Sequence, residues 1–300
     1  MTTQPTTTDR PSWLSESAYP FIPRNLSLPS GEISYVDEGE GPILLFVHAG
    51  MWSFVFRDVI DRLRDDFRCI TLDFPGFGLA PDAPEPVPTL SRFATVLGEF
   101  TSSLDLNDLT LVAHDLGGPV ALGFAAEHPE QVTGLVLTNT FAWEPDRRTL
   151  RAMLGIMGSR AFTTIDTATN LVPTLTATRF GIGRRLDRAS KAAFLGPFAD
   201  RNRRRRFHEL MRSALDSTDL FSRVEEGTVT TLNDRPVLTI FGERNDPWGF
   251  QARHAALFPD HEAVVVAKGY HFPMADDPGL FADSIREWWH RKVSAGTDET

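Results

Sequence analysis

At 300 residues, with 41% hydrophobic and 23% charged side chains, the chain has the make-up of one large folded α/β domain or two modest ones, and not of a disordered segment. Its 30 Lys and Arg against 40 Asp and Glu leave a net charge of −10, poorly suited to neutralising a phosphate backbone, so no nucleic-acid partner is expected. A single cysteine, Cys69, excludes an intrachain disulfide and a cysteine-rich zinc site. No apolar run reaches membrane-spanning length, and the Thr-rich start from Met1 to Arg10 lacks the basic-then-apolar pattern of a signal peptide. A cytoplasmic protein without a membrane partner is expected.

Taken in chain order, residues 1–20 read as a loose N-terminal segment. Gly31 to Val36 alternates polar and apolar residues, which suits an exposed strand pair near a sheet edge. Ile43 to Val47, Cys69 to Leu72, Leu109 to Ala113, Gly134 to Leu137, Val237 to Phe241 and Ala263 to Val266 are short apolar runs bounded by turn residues, as strands buried on both faces of a parallel sheet are. Helical periodicity fills the gaps at Phe54–Leu63, Leu90–Leu104, Pro119–His128 and Leu280–Lys292. Strands alternating with helices predict a doubly wound, mostly parallel α/β sheet. One gap is too long for a crossover: residues 143–233 lean helical and contain no buried-strand run, so they are expected to form a helical lid inserted between sheet halves 21–142 and 234–293. Residues 294–300 read as a loose tail. The run Arg203 to Arg206 inside the lid reads as a solvated helix face with internal salt bridges rather than an anion-attracting patch.

The sharpest local signal is Ala113-His114-Asp115-Leu116-Gly117-Gly118, which follows a buried strand and precedes a helix. Small residues flanking a central one in a strand-to-helix turn form a nucleophile elbow, which lifts the central side chain clear of the sheet toward the helix N-terminus. Here the central residue is Asp115. A carboxylate is already ionised at neutral pH and suits displacement at a saturated carbon to give an ester, whereas attack on a carbonyl would give a labile anhydride. The loop His48-Ala49-Gly50 follows the first strongly buried strand, so the amide of Gly50 (or Met51) and that of Leu116 are the candidate pair of oxyanion donors. His271, after the last strand, is positioned to reach a water beside Asp115 as general base. The orienting acid is sought in Gly242-Glu243-Arg244-Asn245-Asp246-Pro247, with Asp246 preferred over Glu243; the other conceivable place is filled by Asn139, which carries no charge. No metal site and no cofactor are expected, because the histidines are dispersed and no dinucleotide-binding glycine pattern is present.

These residues resemble the α/β-hydrolase fold, and in particular its Asp-nucleophile members, the haloalkane dehalogenases and epoxide hydrolases. The likeness to the dehalogenases runs through Tyr35-Val36-Asp37-Glu38-Gly39, Trp52-Ser53-Phe54, Asp73-Phe74-Pro75-Gly76-Phe77-Gly78, His114 to Pro119 and Asn139-Thr140-Phe141-Ala142-Trp143, ending at His271. The resemblance implies a two-step reaction on a small apolar substrate and water: Asp115 displaces the leaving group, then His271, oriented by Asp246, activates water to hydrolyse the ester. Two departures stand out. Dehalogenases typically carry a halide-holding Trp directly after the nucleophile, where this chain has Leu116, and the loop at His48-Ala49-Gly50-Met51 lacks the Asn that often serves the same purpose. Trp52, Trp143 and Trp248 are candidate substitutes, and with Phe141 they are the expected pocket residues. Epoxide hydrolases typically use lid tyrosines, but Tyr19, Tyr35 and Tyr270 all lie outside the lid, leaving His208 as a candidate donor. A non-catalytic ligand-binding member of the fold is the third reading.

Overall fold

Each of the short apolar runs is a strand in the computed structural model, which describes residues 5–83 and 86–294. Five are buried on both faces as expected, whereas the last, Ala263 to Val266, lies at the sheet edge and is partly exposed because among the described residues no strand covers its outer side. The strands are β1 (Thr6–Thr7), β2 (Arg24–Leu28), β3 (Gly31–Glu38), β4 (Ile43–Ala49), β5 (Arg68–Asp73), β6 (Leu109–Asp115), β7 (Val132–Thr138), β8 (Val237–Gly242) and β9 (His261–Val266). They form one sheet in the order β1-β2-β3-β5-β4-β6-β7-β8-β9. The first three pair antiparallel, as does β3 with β5, and all pairs from β5 through β9 are parallel. The carboxyl ends of β4, β6 and β8 therefore open onto the same edge, which is where an open α/β sheet offers its loops to a ligand.

The helices are α1 (Arg57–Leu63), α2 (Leu90–Ser103), α3 (Gly117–Glu127), α4 (Arg148–Met157), α5 (Arg160–Thr169), α6 (Leu171–Thr176), α7 (Arg188–Leu195), α8 (Arg201–Asp216), α9 (Thr218–Val229), α10 (Phe250–Leu257), α11 (Pro273–Asp276) and α12 (Pro278–Lys292). Their ends follow local chemistry. Thr89 caps α2 through the Arg92 amide, Asp187 caps α7 through that of Ser190, and Asp277 caps α12 with Pro278 in its first turn. His290, Arg291 and Lys292 complement the C-terminal end of α12.

Three features differ from the sequence-based expectations. From Thr6 onward the N-terminal segment is not loose. β1 pairs with β2, the Arg10 guanidinium donates to the carbonyls of Tyr19 and Phe21 at 2.8 Å each, and the buried Tyr19 hydroxyl lies 3.1 Å from Ser53 Oγ. The regular elements within residues 143–233 are all helical, yet α9 packs on α3, the helix that itself rests on β4, β6 and β7, and contributes nothing to the cavity lining, so the cover proper is α4 to α8. The expected tail after residue 294 lies outside the described residues.

The third correction concerns the arginine run. Arg204 and Arg206 are buried, and the run is a clamp rather than a solvated face. Arg203 donates to the carbonyls of Gly78 and Ala80 at 2.5 and 2.8 Å, and Arg206 donates to that of Pro86 at 3.2 Å, fastening α8 to the loop after β5. Arg204 turns inward instead, to the carbonyls of Thr167, Phe198 and Ala199. Unpaired carbonyls at loop and helix ends need donors, and a guanidinium with five N–H groups serves several at once. Only Arg205 behaves as expected, facing Asn202 and Glu209 on the exposed side.

Candidate active site

The turn at Asp115 is forced by close packing. Asp115 ends β6 with φ at 52°, in the left-handed region. The following helix starts so close to β4 that a Cβ on Gly117 would lie 2.3 Å from the Val47 carbonyl oxygen. Thr140 Oγ1 donates to the Asp115 carbonyl at 2.5 Å and pins the turn from the β7 side. The result is a half-buried carboxylate at the sheet's carboxyl edge.

His271, in the loop after β9, meets it with Nε2 at 3.4 Å from Asp115 Oδ2. The loop is held by Asn139, whose amide nitrogen donates to the carbonyls of Tyr270 and His271 at 2.8 Å each, while its oxygen accepts from the Gly242 amide at 3.0 Å. Burial alone would push the Asp115 carboxyl up. The adjoining imidazole of His271, with His114 and the Leu116 amide, outweighs it and holds the carboxyl below the usual range.

Asp246 is not part of this contact. Its two oxygens accept the amides of Phe250 at 2.6 Å and Gln251 at 3.0 Å, capping α10. The expectation that Asp246 orients His271 is therefore corrected: its carboxylate is turned to the amides of a helix N-terminus, a favourable place for it, and another side chain stands at His271 Nδ1. The group at His271 Nδ1 is Asn245, whose Nδ2 lies 3.1 Å away. Preference for a charged residue hid it in the sequence. The signal that could have found it is its place three residues beyond Gly242, where the chain first turns across the end of β8.

Asp115 and His271 form the floor of a cavity of about 270 Å³ under the lid. Four methionines, Met51, Met153, Met157 and Met211, line it, a flexible and polarizable wall suited to irregular apolar shapes. Of the four expected pocket aromatics, Phe141 and Trp248 line the cavity and Trp52 and Trp143 do not. Trp52 is buried against Trp13, Tyr19 and Phe54, and its N–H donates to the Phe194 carbonyl at 3.3 Å. Trp143 packs against Phe250 and His254, with Arg253 over its ring at 4.0 Å. Trp248 does face the cavity, but its N–H donates to Thr149 Oγ1 at 2.9 Å. The N–H groups of Trp52 and Trp248 are thus committed elsewhere, and that of Trp143, buried without a partner, belongs to a ring that does not line the cavity. Of the expected oxyanion donors, Leu116 lines the cavity with Met51, while Gly50 makes the turn beneath Phe207 and Met211 with φ at 102°. His208 lies within the lid, between the Met157 carbonyl and Asp166 at 2.7 Å each, and the Tyr270 hydroxyl accepts from Arg244 at 2.9 Å. Among the described residues no cluster of His, Cys, Asp and Glu could hold a metal ion, and no helix is long and apolar enough to cross a membrane.

Beneath the site, His48 and His114 pack edge to face at 4.9 Å, and His114 lies 4.8 Å from the His271 ring. Burial lowers His48 to about 3, lowers His254 to about 4 and holds His114 well below its ordinary value. Unfolded, these three histidines take up protons near 6.5, so between about pH 6 and 4 the unfolded chain binds more protons and stability falls as pH falls. Asp73, which burial raises to about 6 despite the Leu79 and Ser53 amides, has the opposite sign and offsets one of the three. Three lowered histidines against one raised carboxyl predict a net loss of stability as pH falls through that window, on the order of 1 kcal/mol or more per pH unit. Urea unfolding at pH 7, 6 and 5 checks this, and a flat profile would contradict it.

Residues 44–284 match the model of the alpha/beta hydrolase family. The chain belongs to that family, and its mostly parallel sheet with flanking helices is the α/β-hydrolase fold. Over 278 residues, 90% of this chain and 95% of the relative, it is 32% identical to haloalkane dehalogenase 2 of Mycobacterium tuberculosis. It is also 27% identical, over 91% of its length and 97% of the relative, to a cis-3-alkyl-4-alkyloxetan-2-one decarboxylase of Xanthomonas campestris pv. campestris. Among solved structures, the haloalkane dehalogenase DbeA-M1 loop variant from Bradyrhizobium elkanii superposes with a TM-score of 0.79 at 18% identity, covering 92% of this chain and 98% of that one. The chain is a hydrolase enzyme of haloalkane dehalogenase-like type.

Proposed function

We propose that Asp115 is a nucleophile that displaces a halide from a saturated carbon of a small apolar substrate. One carboxylate oxygen forms the new C–O bond as the carbon–halogen bond breaks, giving an alkyl ester of Asp115 and a halide ion. Water then attacks the ester carbonyl while His271 Nε2 takes its proton, and the amides of Leu116 and of Gly50 or Met51 hold the oxyanion. Collapse releases the alcohol and restores the carboxylate. The observation that carries this reading is Asp115 in the left-handed elbow, 3.4 Å from His271 Nε2, on the floor of an apolar cavity. A His271→Phe variant leaves displacement possible and removes the proton acceptor, so incubation with 1-bromobutane should strand a butyl ester. Intact-protein and peptide mass spectrometry should find the butyl mass on Asp115; an unlabelled Asp115 would count against the reading.

A second reading is favoured by the donors around the leaving group. Leu116 offers no side-chain N–H, and Trp248 has already committed its own to Thr149. A leaving group held in a strained four-membered ring depends less on such donors, because ring opening itself drives its departure: a ring carboxylate. In an oxetan-2-one, the substrate class in the name of the Xanthomonas relative, attack of Asp115 on the ring carbon bearing oxygen opens the ring to an ester with a free carboxylate two carbons away. Loss of CO2 then expels Asp115 and leaves an alkene, with no water consumed. Epoxides draw less support, because a departing alkoxide needs a proton donor and neither His208 nor Tyr270 lines the cavity that holds Asp115. Feeding the wild-type enzyme a dialkyl oxetan-2-one and a bromoalkane of equal length separates the readings: alkene and CO2 in one case, bromide and alcohol in the other.

A further inference from the structure

We infer that Asn245, an uncharged amide, positions His271 at Nδ1, and that the enzyme therefore forms its ester faster than it hydrolyses it. The second half of this inference rests on the Asp115 ester proposed above; the first rests on geometry alone. Asn245 Nδ2 lies 3.1 Å from His271 Nδ1, and among the described residues no carboxylate takes that place. Among the described residues, the acidic groups near the His271 loop have other partners. Asp246 accepts two amides of α10, Glu243 accepts the Lys268 amide at 2.6 Å, and Asp276 on α11 accepts the amides of Gly183 and Tyr270 at 2.5 Å each. Asp115 stands on the opposite side of the ring, at Nε2. The remaining titratable or charged neighbours carry no negative charge: His48 and His114 beneath the ring are held neutral by burial, and Arg244 is bound to Tyr270.

The chemistry follows from the imidazole's two nitrogens. With the Asn245 N–H donated to Nδ1, the ring's own proton sits on Nε2 and faces the Asp115 carboxylate. That tautomer suits the first step, in which no proton moves. It cannot take a proton from water at Nε2. Hydrolysis requires the proton on Nδ1, which the amide supports only by turning its oxygen toward the ring, and even then no charge offsets the imidazolium that forms. Displacement is unaffected by either requirement, so the ester accumulates.

The test uses the full-length enzyme, its Asn245→Asp variant and, as a control, Asp246→Asn. Imidazole nitrogen NMR, assigned with His271→Gln, should show His271 protonated at Nε2 in the wild type. In Asn245→Asp the proton should move to Nδ1 and the titration midpoint of His271 rise by about one to three pH units. With 1-bromobutane, the wild type should give a burst of bromide equal to the enzyme present, followed by a slower steady state. Asn245→Asp should raise the steady rate at least about tenfold and abolish the burst, while moving the acid limb of its pH profile upward. Asp246→Asn should leave the His271 signals and the ratio of burst to steady rate unchanged, whatever it does to melting temperature. His271 signals indifferent to Asn245→Asp, or altered by Asp246→Asn, would overturn the positioning role. A steady rate with no burst would overturn the slow second step. Absence of any Asp115 adduct alongside the expected NMR shift would strike the proposed reaction and leave the positioning role standing.

Discussion

Replacing Asp115 by Ala is expected to lower turnover of bromoalkanes by at least about a thousandfold, because the group proposed to form the new bond is removed outright. The loss should appear in kcat, since the apolar wall built by Met153, Met157 and Met211 is untouched. Stability gives an independent reading of the same position. At φ of 52° an alanine Cβ crowds the backbone, and glycine does not. Asp115→Gly should therefore be more stable than Asp115→Ala by about 1 kcal/mol, although both are inactive. Equal melting temperatures would mean that the backbone relaxes once the carboxylate is gone, and that the elbow is not held by its surroundings. Residual turnover near the wild-type level would remove Asp115 from the reaction altogether.

The second large effect is expected at Gly117. An added methyl would sit 2.3 Å from the Val47 carbonyl oxygen and 2.9 Å from the His48 Cα, both backbone atoms of a buried strand with no room to yield. Gly117→Ala should cost about 3 kcal/mol or more of stability, measured by urea unfolding. It should also lower activity by shifting α3, and with it the Leu116 amide, away from β4. Gly249→Ala is the matched control. That glycine has φ of 70° but nothing within 4 Å of the added carbon, so only the backbone penalty of about 1 kcal/mol is expected. If the two variants lose the same stability, close approach of α3 to β4 is not what the small residue serves.

The sheet, the tight turn at Asp115 and the placement of His271 after the last strand were legible in the sequence because each is written in adjacent residues. Buried parallel strands must be apolar on both faces, so β4, β6 and β8 announce themselves. A strand-to-helix turn as tight as that at Asp115 tolerates only small flanking residues, so Ala113, Gly117 and Gly118 mark it without any tertiary information. The partner of His271 could not be read this way. Asn245 and Asp246 are neighbours in one loop, and chemistry favours the carboxylate in the abstract. Which of them faces the ring depends on where α10 begins, and Asp246 is captured by the amides of that helix. The tryptophans show the same division. Their aromatic character placed them near a pocket, yet the packing of the N-terminal segment draws Trp52 away, and Arg253 and His254 enclose Trp143. The arginine run was misjudged for a related reason, since its charges suggest water while the carbonyls of the loop after β5 and of the lid itself supply enough acceptors to bury it. Sequence determined which elements form and that Asp115 and His271 belong at the same edge of the sheet. Tertiary structure decided which polar groups have partners left to give, because hydrogen-bond capacity is spent across the fold between residues far apart in the chain.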